Sequence, residues 1–330
     1  MFKAGIVAVS LLLLLAAAPV ACAQFSTDEN PINSILTPMY PRPYQTATIS
    51  PRSSLIDLSA STVVISVNGT IVQRGSGTQS AAVRIGGPGE LTSIMVSVTA
   101  PGGKVYTDTI LVRPADVALV VEPATTAHPF YRGLPLVAPE GRVRLVAIPD
   151  VRTSATTRVD PDLLVYTWRL GERVLTDASG IGRSTLVATA PVKYRDATVS
   201  LVVTTQDSSV VAQATTEIAP RDPLVRMYPY DPLLGPNYDS ALGSEYTLNA
   251  TEGTLRAVPY FFSAIPSIEW GVGGVAQGAQ RDLTVRATGS GSGTSALEVK
   301  ARIVGTPNIA TNRTLLRFGE SASPFSIFGF

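Results

Sequence analysis

This sequence predicts an all-β fold repeated three times along the chain. Leu164, Tyr166, Trp168 and Leu170 alternate with Val165, Thr167 and Arg169, which puts the large apolar side chains on one face of a strand. Gly171-Glu172 then turns the chain, and Arg173-Val174-Leu175 starts back. A weaker copy runs from Val63 to Val72 through Asn68-Gly69, and a third through Ile268-Glu269-Trp270 to Gly273-Gly274. Aligned on Ile65, Trp168 and Trp270, the copies stand 103 and then 102 residues apart. That period is the size of one immunoglobulin-like sandwich. The 27 glycines and 25 prolines fall as punctuation between short Val/Thr/Ile runs, as a chain of many short strands requires.

Taken in order, the chain opens on a targeting segment, residues 1–23. Lys3 supplies a positive start, residues 4–18 are apolar, Pro19 breaks the run, and Ala21-Cys22-Ala23 is a small-residue cleavage site. Cleavage is expected before Gln24. An uncleaved anchor and lipidation at Cys22 stay open as alternatives; the apolar run is short for a span, and Pro19 stands where a lipidation motif wants an aliphatic residue. Cys22 is the sole cysteine, so the exported part has no disulfide.

Residues 24–43 are polar and Pro-rich and read as an extended lead-in, with an edge strand of the first module as the other reading. Three immunoglobulin-like modules are expected to follow at residues 44–115, 116–220 and 221–319. Each runs through a strand ending at a proline (Pro51, Pro149, Pro259), the organising strand with its hairpin, a short strand, a long alternating strand, and a last strand at residues 106–112, 211–218 or 310–318. The joints repeat as well: Arg113-Pro114-Ala115-Asp116 matches Ala219-Pro220-Arg221-Asp222. Proline stiffens such joints, so a rod is expected; strands of about ten residues at roughly 3.3 Å each give a length of about 100 Å for three modules.

The totals narrow the function. A formal charge of +1 with no block of like charges argues against nucleic acid or anionic lipid as the main partner. His128, the only histidine, lies in Ala127-His128-Pro129-Phe130-Tyr131 without companions for a triad or a zinc site, and reads as a surface or packing residue. Asp150, Asp160 and Asp162 lie close together in sequence, but no calcium-loop spacing is present, so they read as turn residues. No spacing selects a carboxylate pair for glycoside hydrolysis. Trp168 and Trp270 read as core rather than sugar platforms, because they alternate with polar neighbours. Tyr228, Tyr230, Tyr238 and Tyr246 gather in a loop-like approach to the third module and read as a wedge at that joint. The sequons at Asn68, Asn249 and Asn312 are glycan acceptors only in a eukaryotic secretory setting, and Asn68-Gly69 is explained by turn chemistry alone.

Several stretches resemble a known group. Asp231-Pro232-Leu233-Leu234-Gly235, Pro259-Tyr260-Phe261-Phe262-Ser263 and Ile268-Glu269-Trp270 resemble uncharacterised secreted tandem Ig-like-domain proteins of Parcubacteria-type candidate bacteria, and Tyr166-Thr167-Trp168 with Asp177-Ala178-Ser179-Gly180 is similar to the same group. The resemblance is densest after residue 113. It implies tandem Ig-like modules at a cell surface and carries over no functional residue. Against vertebrate immunoglobulin domains, the core Cys pair and the tyrosine corner are missing.

The last segment, residues 320–330, is an apolar tail with Phe325, Phe328 and Phe330. Such a tail either folds back on the third module or docks on a partner, by adding a strand or seating phenyl rings in a groove. The sequence therefore reads as an exported, non-enzymatic rod acting at the cell surface in structure or interaction, with no cofactor or metal. The expected partners are other surface proteins or another copy of the chain, with membrane contact only through the N-terminal anchor. A surface receptor for a glycan or peptide, and a carboxylate-dependent hydrolase, are the alternatives.

Overall fold

The computed structural model describes residues 30–287 and 292–319; the targeting segment, Cys22 and the tail with Phe325, Phe328 and Phe330 lie outside them. Strands dominate. The first module contains β1 (Asn33–Thr37), β2 (Thr46–Arg52), β3 (Thr62–Val67), β4 (Thr70–Ser76), β5 (Ala81–Arg84), β6 (Thr92–Thr99) and β7 (Val105–Val112). The second contains β8 (Asp116–Pro123), β9 (Arg142–Asp150), β10 (Val165–Leu170), β11 (Arg173–Val174), β12 (Gly180–Ile181), β13 (Thr185–Thr189), β14 (Ala197–Thr204) and β15 (Val211–Ile218). The third contains β16 (Leu224–Asp231), β17 (Gly235–Pro236), β18 (Glu245–Leu248), β19 (Glu252–Tyr260), β20 (Ser267–Val272), β21 (Val275–Gly278), β22 (Asp282–Arg286), β23 (Gly293–Arg302) and β24 (Ile309–Phe318).

One topology recurs. In each module the opening strand pairs with a long second one, and that with a later short strand, as β1-β2-β5, β8-β9-β13 and β16-β19-β22. The others form the facing sheet, as β4-β3-β6-β7, β11-β10-β14-β15 and β21-β20-β23-β24. These are tandem β-sandwiches of the immunoglobulin and fibronectin type III kind. Three apolar clusters fill them, one between each pair of sheets.

Local chemistry sets the hairpins. Val67 pairs with Thr70, leaving Asn68-Gly69 as a two-residue turn with φ of 48° and 84°. Gly273-Gly274 repeats this at 58° and 81° between the paired Val272 and Val275. Two positive φ values define the I′ turn, whose twist matches the strands it joins. Ile65, Trp168 and Trp270 are each the fourth residue of a six-residue strand, and each is buried. They face Val96, Leu201 and Val299 on the adjacent long strand.

Two stretches differ from expectation. The lead-in assigned to residues 24–43 contains a strand: β1 pairs with β2 from Asn33↔Arg52 to Thr37↔Thr48. This is the edge strand of the second reading; the sequence left the two open because Ser34 and Leu36 point inward while Ile35 points out, so no apolar alternation appears. The loop-like approach to module three is strand β16. Pro229 is tolerated there because its carbonyl, accepting from Asn237 N–H, points away from β19; its missing N–H lies on that same side.

Module three also carries an addition. After β16 the chain crosses sheets, and β18 runs parallel to β24, from Glu245↔Leu315 to Leu248↔Phe318. In modules one and two the corresponding strands β7 and β15 end their sheets.

Candidate functional site

The residues weighed for chemistry are held in structural roles. Trp168 Nε1–H donates to the Arg183 carbonyl at 2.9 Å, and Trp270 Nε1–H to the Gln280 carbonyl at 2.8 Å. The two acceptors lie two residues before β13 and β22, strands of the opposite sheet, so each indole ties the two sheets together. Neither ring is open to a sugar.

Asp150 is held by Arg152 at 2.9 Å, whose hydrogen bond keeps the carboxyl below its usual range. Asp160 accepts the Asp162 N–H at 3.0 Å and caps a short 3₁₀ turn at Pro161–Leu163. Among the described residues no group of three His, Cys, Asp or Glu side chains is placed to hold a metal. Asn68 Oδ1 accepts the Ser93 N–H, and Asn312 Nδ2 donates to the Val225 carbonyl, so both amides are engaged in the fold.

The joint between modules two and three is an aromatic cluster. The long loop after β8 leaves its own sandwich and reaches the end of β19. Thr126 N–H donates to the Phe262 carbonyl at 2.9 Å, Thr126 carbonyl accepts from Phe261 N–H at 2.7 Å, and Thr126 Oγ1 accepts from Phe262 N–H at 3.0 Å. Phe261 takes a left-handed φ of 62°, which sends its ring to the joint while Phe262 turns into the module's core. Such backbone strain costs about 1–3 kcal/mol, and the three hydrogen bonds and the buried ring offset it.

His128 stacks on Tyr238, with centroids 4.3 Å apart and planes 5° from parallel, and meets Tyr260 edge-on at 5.6 Å. Its Nδ1 accepts the Phe130 N–H at 3.1 Å, which places the neutral ring's proton on Nε2. Burial lowers the His128 pKa. Of the four tyrosines expected here, Tyr228 and Tyr238 join the cluster. Tyr230 instead lies under Arg256 at 4.1 Å, and Tyr246 packs on the core of module three. His128, Tyr131, Tyr260 and Phe261 complete the cluster and had no local signal in sequence.

The joint between modules one and two is different. It holds an open cleft of about 520 Å³ between β1 and the end of β7, lined by Ser34, Leu36, Tyr40, Ile110 and Arg113, with Ser208 and Ser209 of module two at its rim. Ser34 Oγ and Arg113 Nε are shielded from solvent and have no hydrogen-bond partner among the described residues. A contrast in sequence marks this cleft. The stretch between the paired strands β1 and β2 spans residues 38–45, that between β8 and β9 spans 124–141, and that between β16 and β19 spans 232–251.

No family model and no curated protein matches the sequence. Solved structures that it is similar to include the central fibronectin-III array of RIM-binding protein (8% identity, 86% of this chain and 95% of that one, TM-score 0.31). Others are Sidekick-1 immunoglobulin domains 1–5 (11%, 86% and 58%, TM-score 0.29) and the Clostridium thermocellum CbhA fibronectin(III)-like modules (10%, 57% and 94%, TM-score 0.25).

Proposed function

We propose that the chain is an exported, non-enzymatic surface protein that uses tandem sandwiches as a stiff spacer and their edges and joints for interaction. The observation that carries this reading is the joint at Thr126, where backbone hydrogen bonds and a buried aromatic cluster couple consecutive modules. A flexible tether would need neither. The His128 ring and the carboxylates weighed for catalysis are tied into packing and turns, which supports a binding or structural role over a reaction. No helix among the described residues is long and apolar enough to cross a membrane.

The test has two arms. Immunolabelling of intact cells should detect the chain outside, and X-ray scattering of residues 24–330 should give one maximum dimension near the ~100 Å expected of three end-to-end sandwiches. Labelling only after lysis would reject the surface reading. A broad, featureless distance distribution would reject the stiff spacer.

A further inference from the structure

Module three already contains the piece that module one lacks. Ile65 faces Val96, which faces Asp108 on β7; Trp270 faces Val299, which faces Asn312 on β24. Asp108 and Asn312 therefore hold the same place, and both clasp their module's first strand: Asp108 Oδ2 accepts the Ser34 N–H, and Asn312 Nδ2 donates to the Val225 carbonyl. Five residues further along, Arg113 corresponds to Arg317. The partners of β18 on β24, Leu315 to Phe318, correspond to Leu111 to Pro114.

The two arginines differ in what they meet. Arg317 is held by Glu245 of β18 through two hydrogen bonds of 3.0 Å. Tyr246 and Leu248, on the other face of β18, pack into the core. Arg113 has no carboxylate partner among the described residues, and its shielded Nε faces no acceptor. Ser34, only 8% exposed, lines the same cleft with an unpaired Oγ. Module one cannot supply the missing strand itself, because its short connection carries Pro38, Pro41 and Pro43, which have no N–H to give to a ladder. Module two closes the corresponding place with its long loop, where buried Val137 accepts the Arg221 N–H.

We propose that the cleft beside β7 binds an extended segment of a partner protein, patterned acidic–apolar–polar–apolar. Its carboxylate meets Arg113, its two apolar side chains enter the cleft beside Leu36 and Ile110, and its backbone extends the β4-β3-β6-β7 sheet past β7. Strand addition of this kind takes affinity from main-chain hydrogen bonds and selectivity from alternate side chains. Glu245-Tyr246-Thr247-Leu248 is the pattern as this chain writes it for its own use.

The proposal deepens the interaction reading and rests on it, but it is tested by binding in solution, so its failure would leave surface location and stiffness untouched. The probe is a synthetic peptide of residues 243–250, Gly-Ser-Glu-Tyr-Thr-Leu-Asn-Ala, titrated calorimetrically into residues 24–330. Saturable binding is expected, with hydrogen-exchange protection of amides 110–113. Arg113→Gln in the protein, or Gln for Glu in the peptide, should each weaken binding about tenfold, the share of one charge-assisted contact. An unchanged melting temperature for Arg113→Gln separates loss of the site from loss of the fold. No saturation up to about 1 mM peptide, binding indifferent to both charge changes, or protection at another strand would overturn the proposal. So would a dimer of the chain that Arg113→Gln abolishes, since the occupant would then be a second copy.

Discussion

Tyr228 and Tyr260 share a hydrogen bond of 2.7 Å between their hydroxyls, buried at the joint of modules two and three. Burial, with this hydrogen bond second, raises the Tyr260 pKa, so its phenol stays protonated across the physiological range. Removing one hydroxyl strands the other away from water, which costs about 1–3 kcal/mol, whereas removing both is nearly neutral. Tyr228→Phe and Tyr260→Phe should therefore each destabilise the chain, and the double variant should recover most of the loss. Chemical denaturation of the three variants checks this; strictly additive losses would contradict the pairing.

The two tryptophans carry a separate test. Trp168→Ala should cost about 3–5 kcal/mol, from lost burial and the cavity left behind. Trp168→Phe should fall well short of that, yet still cost about 1–3 kcal/mol, because the Arg183 carbonyl loses its donor. The same ranking is expected at Trp270 with the Gln280 carbonyl. A negligible loss for Phe at either position would show that the indole N–H does not matter there.

How far the sequence could be read follows from where each signal is stored. The organising strands were legible because alternation and turn residues lie side by side in the chain, as at Val67-Asn68-Gly69-Thr70. Strand β1 was legible only as one of two readings, because its inward residues include Ser34 and its outward face includes Ile35. The place of Tyr228 and Tyr238 at a joint was legible from their position between modules. The partners His128 and Tyr131 were not, because they arrive on a loop whose destination no local pattern records. The match of Arg113 with Arg317 needs strand register counted across a sheet, which only the paired structure supplies.

His128 makes the second joint sensitive to acid. Its pKa is lowered in the fold by burial, so the unfolded chain binds the proton more readily. The stability this ring contributes is fully present above the unfolded value of about 6.5 and is lost as pH falls from there towards the folded value. The ionisable side chains whose rings meet it are Tyr131, Tyr228, Tyr238 and Tyr260. Denaturation midpoints between about pH 8 and 5 should fall for the natural chain and stay flatter for His128→Phe. A ring titration by nuclear magnetic resonance with its midpoint above about 6.5 would mean that the tyrosine π-clouds outweigh burial.

The first joint has its own lock, at Gly89. Its φ is 74°, a conformation in which residues with a Cβ are strained, and its N–H donates to the Pro114 carbonyl at 3.1 Å. A Cβ built there would lie 2.7 Å from Arg152 Cβ and closer still to the Ser154 carbonyl oxygen, both belonging to module two. The glycine is thus where module one's backbone lies flush against the loop after β9. Gly89→Ala would carry the left-handed penalty of about 1–2 kcal/mol and would also push the loop away, because the nearest atoms include backbone that cannot simply rotate aside. Gly102, in the turn before β7, has nothing within 4 Å of its Cβ position and no positive φ, so Gly102→Ala serves as the control. Spin labels placed at Ser93 and Glu172, one in each module, should report a single distance in the natural chain and in Gly102→Ala. Gly89→Ala should show a longer and broader distribution, while its module cores keep their hydrogen-exchange protection. An unchanged distribution in Gly89→Ala would mean that the joint has room to spare and that its geometry is set elsewhere, by the Arg42–Asp116 ion pair across the same joint.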